Sequence, residues 1–386
     1  MLYKTTNKTP YTISYHLSTQ RQFGSHTVAS LNYVGSQSHK LISEIEANLP
    51  NAGLCLQLNE APFNPDPVGN PQVCGPGGQG GQYTLPPGVA FPASATPNVQ
   101  SSGPCATNPA QTCNVVNTVY TILGPQFGNN PYEATIAQSS YNSLQASVRH
   151  TSSYSTFLVG YTYSKCLDNA SGLQEGVNPI DPARSLGLCI FDVTHNFVGS
   201  YEVQLPFDRA FHADSGWKNK LAAGWSISGI TTFATGLPVT LTEQDDNSLS
   251  GTINTEANVD LPNYTPGKIL NNTNPRSGQP YFNVFLFSQE PLGQIGNSRR
   301  RFFHGPGLNN WDMALLKNTK LTESTTLEFR FEAFNIWNHT QFQNPSGNIN
   351  GATLDGNGNI TDPGSFGFVT AANSSRVLQA GLKLMF

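Results

Sequence analysis

The most reactive side chains in the sequence belong to six cysteines, and their spacing favours disulfide bonds. Cysteine-based zinc sites usually contain a CxxC pair, which the sequence lacks. An even number of cysteines confined to predicted loops is typical of an oxidising compartment. We expect Cys166 to pair with Cys189, because the two bracket a single predicted loop. The other four cysteines allow three connectivities, of which we favour Cys55–Cys74 with Cys105–Cys113.

Histidine and acidic residues do not form a catalytic pattern. His195 follows Asp192 by three residues, which points the two side chains to opposite faces of a strand. We therefore interpret His195 as a residue of a rim or of a lumen wall. The run Asp245-Asp246-Asn247 offers oxygen ligands for Ca²⁺ but lacks the remaining ligands of a full binding loop. Since HExxH and Ser/His/Asp patterns are also absent, we expect no enzyme activity, no metal site and no cofactor.

Two charged clusters and a glycine-rich run have structural interpretations. Three adjacent arginines at 299–301 are suited to contact with anionic phosphates or with solvent. Glu328, Arg330 and Glu332 occupy every second position, so a strand would place all three on one wet face. The run at 75–81 has neither the Lys-Ser/Thr nor the strand–helix context of a phosphate-binding loop. We predict that this run is a flexible loop.

The elements that carry these residues are predicted to be β-strands. In 327–334, apolar side chains alternate with the three charged residues just described, so each kind occupies one face. In 375–386, the apolar face ends on the aromatic Phe386. Seven further segments alternate less regularly, which predicts nine strands in total. These segments are 10–21, 26–36, 136–149, 154–165, 191–205, 222–241 and 309–321.

The composition excludes several classes of protein. Only 11% of the residues are charged and 37% are hydrophobic, and the mean hydropathy is −0.31. No apolar run is long enough for a transmembrane helix, and a net charge of −4 gives no basic surface for nucleic acid. The 22 Phe, 14 Tyr and 4 Trp residues are too many for a disordered chain. A transmembrane β-barrel fits, because its strands need an apolar side chain only at every second position.

The connections between the predicted strands alternate in length. Long loops at about 37–135, 166–190, 242–308 and 339–374 alternate with shorter connections. Bacterial outer-membrane barrels have this arrangement, with long loops outside the cell and short turns in the periplasm. We therefore predict an all-β fold that is part of an antiparallel transmembrane barrel, of about nine or ten strands, in the outer membrane of a Gram-negative bacterium. The charged ladder at 328–332 would then face the lumen.

The strand count and the start of the sequence together predict an incomplete barrel. Bacterial single-chain barrels have an even number of strands, whereas nine are predicted here. The polar start at 1–8 contains no apolar segment of the kind that a signal peptide needs for export. We therefore expect residues 1–386 to form the C-terminal part of a larger barrel.

Seven runs of sequence, read in order, resemble one family. They are SYNSLQASV at 140–148, VGYTYSK at 159–165, FDVTHNFVGSY at 191–201, GWSISGI at 224–230, GPGLNNWD at 305–312, FRFEAFNIWNH at 329–339 and the ending GLKLMF at 381–386. Each run alone is unspecific. Their order and spacing resemble the C-terminal barrel of TonB-dependent transporters, and most closely the Oar-like group.

This resemblance implies a barrel of about 22 strands with an N-terminal plug, and energy transfer from TonB that drives uptake of a ligand. The sequence shows neither a plug nor a TonB box. The implied partners are outer-membrane lipid and lipopolysaccharide, the barrel-assembly machinery with Phe386 as its C-terminal signal, an unidentified ligand, and TonB only where a plug-bearing part exists. No nucleic-acid partner is expected. The alternatives are an adhesive or structural surface barrel without transport and, less favoured, a soluble lectin-like sandwich.

Overall fold

One antiparallel sheet of nine long strands dominates the structure. The computed structural model describes residues 2–3, 6–67, 73–105, 108–124, 127–128, 130–173, 175–212, 216–251, 260–270 and 272–386, so that Met1, Lys4 and Thr5 of the polar start lie outside it. Within these ranges the nine strands follow one another across the sheet in chain order. They are β1 (Tyr11–Phe23), β2 (Thr27–Glu46), β3 (Pro131–Thr151), β4 (Ser155–Asp168), β5 (His195–Leu205), β6 (Trp225–Ala234), β7 (Leu308–Lys320), β8 (Thr326–Phe334) and β9 (Val377–Met385).

The sheet is an open meander and not a closed barrel. Strands β1 and β9 lie at its two edges, and within the described ranges each pairs along its length with a single neighbour. The predicted antiparallel, incomplete barrel of nine strands is thereby confirmed. An unpaired edge leaves a row of backbone N–H and C=O groups without partners, which a membrane does not tolerate.

The two faces of the sheet differ in polarity, and the strand register shows how. Leu17, Tyr33, Leu144 and Tyr163 lie directly opposite one another on β1 to β4 and form an apolar row. Leu17 is 74% exposed, although it belongs to a long strand. Since successive residues of a strand point to opposite faces, the sequence alternation predicted these faces correctly. A continuous exposed apolar face of this kind is suited to contact with lipid.

Several strands differ in length from the prediction. Strand β2 continues to Glu46 and β3 begins at Pro131, so fifteen residues that were assigned to the two ends of the first long loop belong to the sheet. Here the alternation is hidden, because most side chains of these extensions are half-buried or buried whichever way they point, and the pairing of β2 with β3 is irregular between Ser38 and Ile42. Strand β6 ends at Ala234, short of the predicted 241. The last strand ends at Met385, and Phe386 is 92% exposed.

Helices are few and short. The α-helices are α1 (Ala52–Leu58), α2 (Phe207–Ala210) and α3 (Gly216–Ala222), and in the described ranges no helix has the length and apolarity that a membrane span requires. Helix α1 begins where the Asn51 side chain accepts a hydrogen bond from the Leu54 N–H at 2.9 Å. The 3₁₀ turns are Ala93–Ala95, Pro182–Ser185, Val284–Leu286 and Ile349–Gly351. The short strands are Leu2–Tyr3, Tyr83–Thr84, Val99–Pro104, Thr112–Val116, Gly187–Leu188, Asn263–Tyr264, Phe287–Ser288, Thr353–Leu354 and Ile360–Asp362.

The long connections all leave the same end of the sheet, and three of them pack against one another around hydrophobic cores. We call them the first loop (47–130), the second loop (169–194), the third loop (235–307) and the fourth loop (335–376). One hydrophobic core joins the first loop to the third, through Leu54, Val116 and Leu249, each fully buried. A second core joins the third loop to the fourth and contains Phe282 and Phe366. The connections at the other end are short, apart from 206–224, which contains α2 and α3.

Candidate functional site

The polar face of the sheet carries the charged ladder predicted from the sequence. Glu328 lies opposite Lys383 of β9, and Glu332 lies opposite Gln379, so all five side chains of this patch, with Arg330 between them, share one face. The Arg330 Nε lies 2.8 Å from the Glu332 Oε1. The Gln379 amide donates a hydrogen bond to the other Glu332 oxygen. Because Arg330 is half exposed, this ion pair contributes little stability.

An open cavity of about 400 Å³ lies against this face. Its charged lining residues come from four different strands, and they are Arg149, Glu202, Asp312, Arg330 and Glu332. Three carboxylates and two guanidiniums give a mixed lining that can hydrogen-bond to hydrated polar solutes. The sequence alternation identified the β8 members. It gave no reason to single out the other three, because only the sheet register brings them together.

The arginines at 299–301 are the first residues that the structure places differently from the prediction. Arg299 is exposed, but Arg300 and Arg301 are only 7% and 3% exposed. The Arg300 Nη1 lies 2.5 Å from the Glu175 Oε1, and Arg301 pairs with the same carboxylate. Arg300 also pairs with Asp168 at the end of β4. The expectation of contact with phosphates or solvent was therefore wrong for these two, because Glu175 of the second loop and Asp168 of β4 supply their counter-charges.

This ion-pair network fixes the third loop to the second loop. Burial by itself would raise the pKa of Glu175, but the guanidiniums of Arg300 and Arg301 hold that pKa below its usual value. Glu175 therefore stays ionised between the two arginines. Removing one member of a buried charge network leaves the others unpaired and costs about 3–5 kcal/mol.

Asp192 pairs with His304 and not with His195. The His304 Nε2 lies 2.9 Å from the Asp192 Oδ2, and the backbone N–H of Cys166 donates to the other oxygen at 2.6 Å. His195 begins β5 on the apolar face, where its ring bonds to the Tyr161 hydroxyl at 2.7 Å. It lies at the rim, one of the two places predicted for it. The Asp192–His304 contact spans 112 positions, and no local sequence pattern could have indicated it.

The six cysteines lie in three pairs at the long-loop end. The structure joins Cys55 to Cys74 and Cys105 to Cys113 within the first loop. It joins Cys166, near the end of β4, to Cys189 in the second loop. The Cα–Cα distances are 5.3, 5.4 and 5.4 Å in that order. Such distances suit disulfide bonds, and these are the pairings that the sequence favoured.

A cluster of buried carboxyl groups lies in the third loop. Glu243, Asp246, Asp260 and Glu290 are each at most 2% exposed. Burial, with the neighbouring Glu243, raises the pKa of Glu290 to about 10. Burial, with the charge of Asp260, raises the pKa of Asp246 to about 6. Glu290 is therefore protonated at neutral pH.

The described part of the cluster is not a preformed metal site. Among the described side chains, no group of three or more His, Cys, Asp or Glu is arranged to hold a metal ion. Asp246, the central residue of the 245–247 run, instead accepts backbone hydrogen bonds from Ser250 at 2.9 Å and Gly251 at 3.1 Å. Asp245 accepts a bond from the Asn350 amide of the fourth loop at 2.6 Å. The acidic run thus shapes a turn and joins two loops.

The glycine-rich run at 75–81 is packed against the loops. Gln79 within it is 3% exposed, and its side-chain amide donates to Asp246 of the third loop. The Gln79 carbonyl accepts bonds from the Thr118 hydroxyl at 2.7 Å and the Val119 N–H at 3.1 Å. The run is a loop, as predicted, but Gln79 ties it to its surroundings through three hydrogen bonds that the composition does not indicate.

A family model agrees with this architecture. The family model described as outer membrane beta barrel domain matches residues 2–379. No curated protein sequence matches the chain. The crystal structure of the outer membrane transporter YddB from Escherichia coli is similar with a TM-score of 0.43 and 10% identity, over 100% of this chain and 34% of that one. The chain thus spans about a third of that transporter. Because the family model covers nearly the whole sequence, the chain belongs to the outer membrane beta barrel domain family.

Proposed function

We propose that this outer-membrane chain is the C-terminal part of a TonB-dependent, Oar-like receptor barrel that takes up an unidentified ligand. The observation that supports this most directly is the polar, charged face of the sheet with its cavity. Four long loops are folded together at one end of that sheet. In this proposal the loops capture the ligand outside the cell. The ligand then passes along the polar face after TonB moves a plug. The role is binding and passage, without catalysis.

The open edges of the sheet support the proposal of a larger barrel. Strands β1 and β9 each have an edge whose backbone groups lack strand partners in the described ranges. In lipid such groups need partners, and further strands of the same protein would supply them. The plug and the TonB contact would belong to that part of the protein. Lipopolysaccharide would surround the long-loop end, and the barrel-assembly machinery would act on the C-terminal strand with Phe386.

Ion conduction through planar lipid bilayers tests the lumen. In the full-length gene product with its plug removed, we expect the barrel that contains this chain to form a channel in KCl. Its selectivity for cations should decrease when Glu332 is changed to Gln, because one lumen carboxylate is lost. Glu323→Gln is the matched control, since Glu323 is an exposed carboxylate in the short 321–325 turn. A barrel that inserts without conducting, or equal effects of both variants, would overturn the assignment of this face to a lumen.

Cross-linking to TonB separates transport from the alternative function. In cells that carry the natural gene, we expect formaldehyde to cross-link its product to TonB. A conducting barrel with no TonB adduct would contradict energised uptake. It would favour an adhesive or structural surface barrel, an alternative that the shared hydrophobic cores of the first, third and fourth loops also suit.

A further inference from the structure

Helix α3, at the end of the sheet opposite the long loops, presents its apolar side away from the protein. Trp217 and Leu221 are 69% and 62% exposed. They are four positions apart and so lie on the same side of the helix. Asn219, on the other side, is half-buried. A helix packed on a water-soluble protein has the reverse arrangement, with its apolar stripe towards the core.

The end of α3 is held against the lipid-facing side of the sheet. Trp225 and Lys317 lie opposite each other on β6 and β7, in the apolar rows. The Trp225 indole N–H donates to the Leu221 carbonyl at 2.8 Å. The Lys317 ammonium donates to the Lys220 carbonyl at 2.8 Å and to the Ala223 carbonyl. These bonds satisfy carbonyl groups at the C-terminal end of the helix, and they place α3 beside the membrane and outside the polar face.

Positive charges flank the exposed apolar side chains. Lys218 and Lys220 lie on either side of the Trp217–Leu221 stripe on the helical circumference and are exposed. Arg209 of α2 is exposed as well, and its guanidinium donates to the Tyr154 hydroxyl at 2.9 Å. The acids in 207–222 are Asp208 and Asp214, and α3 itself contains none. An apolar stripe bordered by cations is the pattern of a helix that lies in a membrane interface.

We infer that α2 and α3 lie in the headgroup region of the bilayer on an anionic phospholipid surface. Trp217, Leu221 and Phe211, which is 72% exposed, enter the upper part of the acyl chains. The long side chains of Lys218 and Lys220 reach back to the lipid phosphates. The segment thereby anchors this rim of the sheet in one leaflet. The inference rests on the membrane location of the sheet and is independent of transport.

Fluorescence quenching of Trp217 by brominated lipids tests this placement. The full-length gene product and its Trp217→Phe variant are reconstituted in vesicles, and the difference between them isolates the Trp217 signal. We expect stronger quenching by bromine near the headgroup than by bromine near the chain end, and little quenching by iodide in water. Strong iodide quenching without bromolipid quenching would overturn the inference and place the helix in water. Protection from both quenchers would also overturn it, since it would indicate a protein partner.

The lysines test the chemistry of the lipid. Each lysine near an anionic surface favours the bound state about fivefold. In vesicles that contain phosphatidylglycerol, Lys218→Glu with Lys220→Glu is expected to abolish most bromolipid quenching of Trp217, whereas Lys218→Arg with Lys220→Arg preserves it. Both lysine side chains are exposed, so neither variant disturbs packing. An equal loss in pure phosphatidylcholine vesicles would contradict a role for anionic headgroups.

Discussion

Replacing Phe366 by alanine is expected to open the third and fourth loops while leaving the sheet intact. The Phe366 ring is fully buried, with its centroid 5.2 Å from that of Phe282 and 5.7 Å from that of Phe287, both edge to face. Truncating a buried Phe to Ala costs about 3–5 kcal/mol. Since about 1.4 kcal/mol corresponds to a tenfold change in an equilibrium, the open population of these loops rises by roughly a hundredfold to a few thousandfold.

Limited proteolysis of intact cells measures this opening. We expect the Phe366→Ala protein to be cleaved in the third or fourth loop at a protease concentration that leaves the parent uncut. Phe285→Ala is the matched control, because Phe285 lies in the same aromatic segment but is 64% exposed. Heat-modifiable gel migration should be unchanged in both, since the strands are untouched. Equal protease resistance of the parent and Phe366→Ala would refute the role of this core.

Three further predictions concern the loops and the chain end. Protease resistance of the third loop should fall from pH 6 to pH 10. Glu290 has a pKa of about 10 in the folded protein and about 4.3 in an unfolded chain. The protonated side chain therefore stabilises the loop fully below about pH 4.3, and this stabilisation is lost as the pH rises towards about 10. Glu290→Gln should flatten that pH profile, and an unchanged profile would contradict it. Cys166→Ser with Cys189→Ser should lower the free energy of unfolding of the loops by about 2–4 kcal/mol. We expect proteolysis of the variant to begin at a lower temperature, and a reductant should lower this temperature for the parent in the same way. Deleting Phe386 in the full-length gene should reduce outer-membrane levels on immunoblots, and unchanged levels would argue against a C-terminal assembly signal.

The strands could be predicted because a membrane sheet imposes a local rule. Successive side chains of a strand point to opposite faces, independently of contacts elsewhere in the chain. In β8 this rule separates the charged residues at 328, 330 and 332 from the apolar residues between them. Phe157, Val159 and Tyr161 follow the same rule in β4. The rule fails where both faces are covered. In the outer part of β2, up to Glu46, most side chains are half-buried or buried on either face, and its alternation disappears there.

The loops could not be predicted in the same way, because their contacts are distant in sequence. Gln79 and Asp246 are separated by 167 positions, and Arg300 and Asp168 by 132. A run of arginines in a polar loop indicates an exposed surface only when no carboxylate elsewhere in the chain folds onto it. Glu175 does so here, from a different loop. The pairing of cysteines was easier, because each pair closes a short segment.

The distribution of charge connects these two results. Only 11% of the residues are charged, and the apolar face of the sheet admits few of them because lipid disfavours charge. The charges that remain must line the polar face, lie at the membrane surface or enter the loops. In the loops, burying a charge is tolerable only with a partner, and Arg301 shares the Glu175 carboxylate with Arg300 for this reason. Changing Glu175 to Gln therefore leaves two buried guanidiniums with a single remaining carboxylate, Asp168. We expect this variant to release the third loop from the second, measured as protease cleavage near residue 300, whereas Asp181→Asn, which breaks an exposed pair with Arg184, should have no such effect.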